Sequence, residues 1–283
     1  MAKNWQQYLK FGLAVGLVAG LFGSAPGIAS AAPIFTVQEG VVPGALPNEV
    51  TGDRLSYDFE TTGTQNFITN TFTEQGSARM SNILLNNVAP PQQLTAQVPS
   101  IALPEPTFYG MYALFSGDGT TETIPGTPPG IKGIFENFEV RLFLDPDRLT
   151  DVFSTPGVAG GSTGDDILIA TGTLAAPSEC PSDDSCGISH SFPQPAQGDF
   201  GILVEFELTA FGETYFIAPD EFYARLRVTG VSSLLTPIDA TTTQNEGAGQ
   251  GFFEVREVPE PASMLLLGLG LAGLGAASYR RRK

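Results

Sequence analysis

Between Ala32 and Val258 the apolar residues recur at every second position. From Ile202 to Ala210, one face carries Ile202, Val204, Phe206, Leu208 and Ala210, and the other Leu203, Glu205, Glu207 and Thr209. That alternation predicts a half-buried strand. Phe222, Ala224, Leu226 and Val228 alternate with Tyr223, Arg225, Arg227 and Thr229 in the same way. Glu205 and Glu207 could therefore face Arg225 and Arg227 across a strand pair. Further strands are predicted over Leu55 to Thr61, Phe67 to Phe72, Ala78 to Leu85, Tyr109 to Phe115, Phe135 to Leu144 and Ile167 to Leu174. Two stretches read as loops: Val88 to Pro106, with its five prolines, and Leu235 to Gly251, rich in Thr, Gly and Gln. A last short strand is predicted over Phe252 to Val255. No segment sustains a helical period over three turns. Many short strands with Gly, Pro, Asn and Asp between them predict an all-β, antiparallel β-sandwich, with jelly-roll-like and Ig-like strand orders both open.

The two ends break the pattern. Lys3 and Lys10, an apolar stretch from Phe11 to Phe22 and small residues ending Ala29-Ser30-Ala31 have the order of a secretory signal helix, with cleavage after Ala31. At the other end, Val258-Pro259-Glu260-Pro261 precedes an uncharged run from Ala262 to Tyr279 and then Arg280-Arg281-Arg282-Lys283. The run is about the minimum length for a transmembrane helix, and the closing cations favour a cytoplasmic terminus. The chain thus divides into a signal peptide at 1–31, an exported β-sandwich domain at 32–257 and a C-terminal signal at 258–283.

Pro259, Glu260 and Pro261, followed by a short Gly/Leu-rich span and a basic end, resemble the PEP-CTERM sorting signal. The resemblance implies an exosortase as processing enzyme. It also implies Sec export, a transient anchor in the inner membrane, and final residence at the cell surface or in the extracellular matrix. Within the body, Phe108 to Gly119 (FYGMYALFSGDG) and Phe138 to Asp147 (FEVRLFLDPD) resemble flocculation-associated PEP-CTERM proteins. That likeness implies a surface protein supporting cell aggregation and biofilm with exopolysaccharide, and it brings no catalytic residues.

Charge narrows the partners. Of 30 acidic residues 29 lie in the body against eight basic ones, so the body carries −21. This is the wrong sign for gripping phosphate backbones, which argues against nucleic acid, and it repels other acidic polymers unless divalent cations bridge them. One histidine and two cysteines cannot build a multi-histidine or four-cysteine zinc site. Cys180 and Cys186, in an exported body, predict a local disulfide.

Asp145, Asp147 and Asp151 resemble the opening of a calcium loop, with Asp165 and Asp166 as further donors. Thr150 and Pro156 stand where an EF-hand needs Gly and Glu, so a solvated turn is the competing reading. His190, between Ser189 and Ser191, lacks a Gly-x-Ser-x-Gly elbow. Glu205 and Glu207, about 7 Å apart along one strand face, suit an inverting glycosidase pair as well as an ordinary solvated face. The reading that follows is a non-enzymatic surface protein without an obligate cofactor, with Ca2+ as a conditional one. A carbohydrate-binding module that stacks sugars on Tyr109, Tyr112 or Tyr223 is the alternative.

Overall fold

Long hairpins dominate the computed structural model, which describes residues 33–95, 108–126, 129–177, 186–193 and 196–254. The strands are β1 (Phe35–Gln38), β2 (Glu49–Gly52), β3 (Arg54–Asn66), β4 (Thr71–Leu84), β5 (Gly110–Ile124), β6 (Gly130–Asp145), β7 (Thr150–Asp151) and β8 (Gly160–Gly161). They continue with β9 (Ile167–Leu174), β10 (Gly187–Pro193), β11 (Ala196–Leu208), β12 (Phe216–Ala218), β13 (Arg225–Pro237) and β14 (Thr242–Glu254). The one described α-helix, α1 (Ala210–Tyr215), follows β11. Thr209 starts it, its hydroxyl accepting from the Gly212 amide at 3.1 Å.

The all-β antiparallel expectation holds, but the sheet does not split into the two facing layers of a sandwich. It closes on itself. β3, β4, β5 and β6 form a meander, and β11, β13 and β14 continue it. β14 then pairs with β3 from Thr242↔Thr64 to Gly251↔Leu55. One position in the ring is shared: β10 pairs with Ile131–Ile134 of β6, and β9 pairs with Glu139–Leu144 of the same strand. On the far side, β10 meets Ala196–Ile202 of β11 and β9 meets Val204–Leu208. The result is an up-and-down barrel, in which closure removes the open edges that a sheet would otherwise expose.

The interior is filled by alternation of large and small residues. Tyr57, Phe59, Met80, Phe138, Leu142, Ile202 and Phe206 are buried. Aromatic rings lie directly over interior glycines: Phe115 on Gly76, Phe135 on Gly117 and Tyr57 on Gly249, where a Cβ would overlap the ring. What remains is a cavity of about 50 Å³ among Tyr57, Met80, Phe138 and Phe206, so the barrel is packed rather than hollow.

A three-stranded sheet, in the order β12-β1-β2, caps the end at which β3 begins and β14 stops. Phe35 of β1 meets Phe253 of β14 edge-on at 5.0 Å. Beside it, Glu39 is fully buried. Its carboxylate accepts from Asn48 Nδ2 at 2.8 Å, the Gln93 amide at 2.8 Å, the Leu94 amide at 3.2 Å and the Tyr109 hydroxyl at 3.1 Å. Such a carboxylate is tolerated in the interior because its lone pairs are taken up.

Three sequence expectations are corrected. Phe67–Asn70 is a turn, not a strand, because Asn66 Oδ1 accepts the amides of Ile68 and Thr69 and Asn70 takes φ +53°. Leu235 to Gly251 belongs mainly to β13 and β14 and is not a loop. Ala210 opens a helix and does not end a strand. Ala31, the 1–31 signal, Cys180, residues 96–107 and the whole of 258–283, with Pro259, Glu260 and Pro261, lie outside the described residues. Among the described residues no helix is long and apolar enough to cross a membrane.

Candidate functional site

The chain between β6 and β9 folds back over the outer face of the barrel. Val152 is fully buried there with Tyr112 and Leu114, and Phe143 and Phe153 pack against them. Arg79 of β4 donates to the Thr150 carbonyl at 2.8 Å, and the Gly157 amide donates to Ser77 Oγ at 2.8 Å. This excursion carries the aspartates singled out in the sequence.

Asp145, Asp147 and Asp165 come together, with one ligand atom from each lying within 4.8 Å of the others. Asp151 stays outside this group. It closes its own turn by accepting from the Phe153 and Ser154 amides at 3.0 and 3.1 Å and from the Ser154 hydroxyl, and these bonds hold its carboxyl below the usual range. Asp145 accepts the Arg148 amide at 2.7 Å and the Thr150 amide at 3.2 Å, while Asp147 accepts the Leu149 amide at 2.8 Å and Ser162 Oγ at 2.9 Å. Asp166, beside the group, accepts the Tyr112 hydroxyl at 2.7 Å. Burial, reinforced by the charge of Asp166, pushes the Asp145 carboxyl up to about 7. Burial also raises Asp166. An all-oxygen, carboxylate-rich donor set of this kind fits a hard cation such as Ca2+ and not zinc or copper.

Two of the three aromatic platforms expected of a sugar-stacking module are buried, and the third, Tyr223, is half-buried. Tyr109 is 1% exposed and Tyr112 3% exposed. Tyr223 stacks on Phe253, and its hydroxyl donates to the Ile34 carbonyl at 2.9 Å. Glu205 and Glu207 do share the outer face of β11, in a shallow cleft of about 230 Å³ with Thr171, Thr173 and Arg225. The predicted cross-strand pairing is half right: Glu205 lies opposite Arg225, whereas Arg227 lies opposite Leu203 and forms its ion pair with Glu254. His190 Nδ1 lies 2.6 Å from Asp199 Oδ1 on the surface. Cys186 is disulfide-bonded and packs with Ala175 and Leu203.

A larger feature escaped the sequence reading. The outer face of β3 to β6 forms a cleft of about 540 Å³. Register builds it from two rungs, Thr64–Thr73–Asp118–Asn137 and Thr62–Gln75–Ser116–Glu139. Of these positions only Asn137 and Glu139 fall within a strand predicted from alternation; the others lie beyond the predicted strand ends, and the pairing of four strands shows that they share one surface.

Residues 257–282 match the PEP-CTERM protein-sorting motif, the recognition signal for exosortase processing. The chain therefore carries the C-terminal signal of an exosortase-sorted surface protein. No curated protein and no solved structure matches it.

Proposed function

We propose that the PEP-CTERM signal delivers this acidic β-barrel to the cell surface or the extracellular matrix, where it supports bacterial flocculation with exopolysaccharide and catalyses no reaction. The observation that carries the reading is the sorting motif at 257–282. The likeness of Phe108–Gly119 and Phe138–Asp147 to flocculation-associated proteins gives it its direction. Sec export by residues 1–31, cleavage after Ala31 and a transient inner-membrane anchor are parts of the same reading, as is the Cys180–Cys186 disulfide in an oxidising compartment.

Calcium enters conditionally. At −21 the body repels its own copies and any acidic polymer, and a divalent cation held by Asp145, Asp147 and Asp165 would bridge them.

The test is settling and clumping of cells that lack the chain, complemented with the full chain or with one truncated before Val258. Clumping restored only by the full chain is the expected result, and unchanged clumping in the deletion overturns the reading. Clumps that persist in EDTA overturn the calcium part alone.

A further inference from the structure

The cleft on β3 to β6 gathers polar side chains from four neighbouring strands that are mostly not spent on one another. At several other points on the outer face polar side chains pair across strands: Ser56 with Ser81 at 2.9 Å, Gln244 with Glu60, and Arg227 with Glu254. In the cleft, Asn137 donates to Asp118 at 3.0 Å. Thr62, Thr73, Gln75, Ser116 and Glu139 make no side-chain hydrogen bond to any described residue. Hydroxyl, amide and carboxylate groups therefore stand side by side with unused donors and acceptors. Strand pairing fixes the spacing of their backbones.

We propose that this cleft binds a segment of neutral, hydroxyl-rich polysaccharide. Its volume lies within the range of small-molecule sites. The four strands span three inter-strand spacings of about 4.8 Å, or ~14 Å, enough to run a short stretch of chain across the sheet. Threonine and serine hydroxyls and the Gln75 and Asn137 amides can each donate to or accept from sugar hydroxyls, and Asp118 and Glu139 accept from them. The same two carboxylates, on a body of −21, turn away uronic-acid polymers. Without an aromatic platform each site is weak, and many copies on one surface supply avidity. The proposal rests on the matrix role above and names the surface and the glycan class through which that role is exerted.

The experiment uses the full chain in a detergent without sugar groups, run in native gels containing dextran, a mixed-linkage β-glucan, galactomannan or polygalacturonate. Retardation by at least one of the three neutral polymers, and none by polygalacturonate without Ca2+, is expected. The variant Gln75→Ala/Ser116→Ala/Asn137→Ala should lose about tenfold or more in affinity, in line with the removal of several hydrogen bonds. Gln75→Trp, a single exposed change that fills the cleft, should do the same. Thr236→Ala/Glu246→Gln, on the outer face of β13 and β14, should change nothing. Retardation by none of the neutral polymers overturns the proposal, as does binding that survives both cleft variants. Cell clumping is a separate readout. If the deletion leaves clumping intact while the purified chain still binds, the matrix role fails and the glycan site stands; if clumping needs the chain but no polymer binds, the site fails and the role stands.

Discussion

Glu74 is the residue whose ionisation the barrel resists most simply. It lies on β4 with its carboxyl toward the apolar interior, next to Thr61. Burial raises its pKa above the 4.5 of a free glutamate, and a hydrogen bond with Thr61 only partly offsets that. Folded chains therefore hold this proton more tightly than unfolded ones. The contribution to stability is complete below about pH 4.5 and is lost as pH rises through the folded value. Glu74→Gln keeps the shape and the Thr61 partner while removing the ionisation. Its melting temperature should match that of the natural chain at pH 4 and exceed it at pH 8, by a few degrees for each kcal/mol recovered. Thermal melts between pH 4 and 8 that run parallel for the two proteins would refute this. Glu74 is not recognisable in the sequence, where it is one carboxylate among many between Thr73 and Gln75. Asp145 and Asp147 were legible because two residues on one turn stay together in any fold. Asp165 and Asp166 can be named as further donors, but that Asp165 rather than Asp151 joins the group depends on the pairing of β6 with β9, and the bonding of Glu39 depends on Asn48, Gln93, Leu94 and Tyr109, which only the folded chain brings to it.

At the scale of elements, alternation was legible wherever the inward positions are large. The predicted bounds of β9 coincide with the observed ones, and those of β3, β6 and β11 agree at their centres, because Leu, Phe, Val and Ile mark one face. Only the end of β14, from Phe252, is predicted as a strand; its longer part before that reads as a loop because its inward positions are Gly247, Gly249 and Gly251, which carry no apolar signal. Those glycines are the other half of an aromatic packing scheme: Tyr57 and Phe59 of β3 occupy the space that side chains on β14 would need. A strand that looks like a flexible Gly/Gln linker is thus a matched counterpart to its neighbour, and it completes the ring. Gly249→Val places branched carbons against Tyr57 and the Thr229 carbonyl. It should cost about 1–3 kcal/mol, the usual range for overpacking, in chemical denaturation. Since Tyr57 donates its hydroxyl to that same carbonyl at 2.8 Å, Tyr57→Phe should leave most of the penalty in place, whereas Tyr57→Ala should relieve only the part due to the ring in the double variant, the contact with the Thr229 carbonyl remaining. A neutral Gly249→Val would mean that β14 does not approach β3 this closely.

For the whole molecule, the consequence of closure is that strength is shared around the ring and weakness concentrates where one position is filled by two strands. β9 ends and β10 begins on either side of Leu203, where the Ala175 amide donates to the Leu203 carbonyl at 3.0 Å and the Leu203 amide to the Cys186 carbonyl at 2.7 Å. Two backbone bonds and the small cluster of Ala175, Cys186 and Leu203 carry the ladder across this junction. Elsewhere the neighbours form long continuous ladders such as β3–β4, β5–β6 and β14–β3. The disulfide at Cys186 ties the start of β10 at this weak point, and restraining a locally opening segment is where a short covalent loop has most effect. Reduction should therefore speed amide hydrogen exchange about tenfold in Gly187–Pro193 and in the facing Ala196–Ile202 of β11, and leave β3, β4 and β5 as protected as before. A uniform rise over all strands would mean that the disulfide stabilises the barrel only globally, and no rise would mean that the junction is already as firm as the hairpins. Localised opening bears on the surface role, since an exported protein meets changing redox conditions outside the cell. Opening confined to β10 and its partner leaves the β3–β6 cleft intact, so reduced chains should retain polysaccharide binding while losing protection only at the seam.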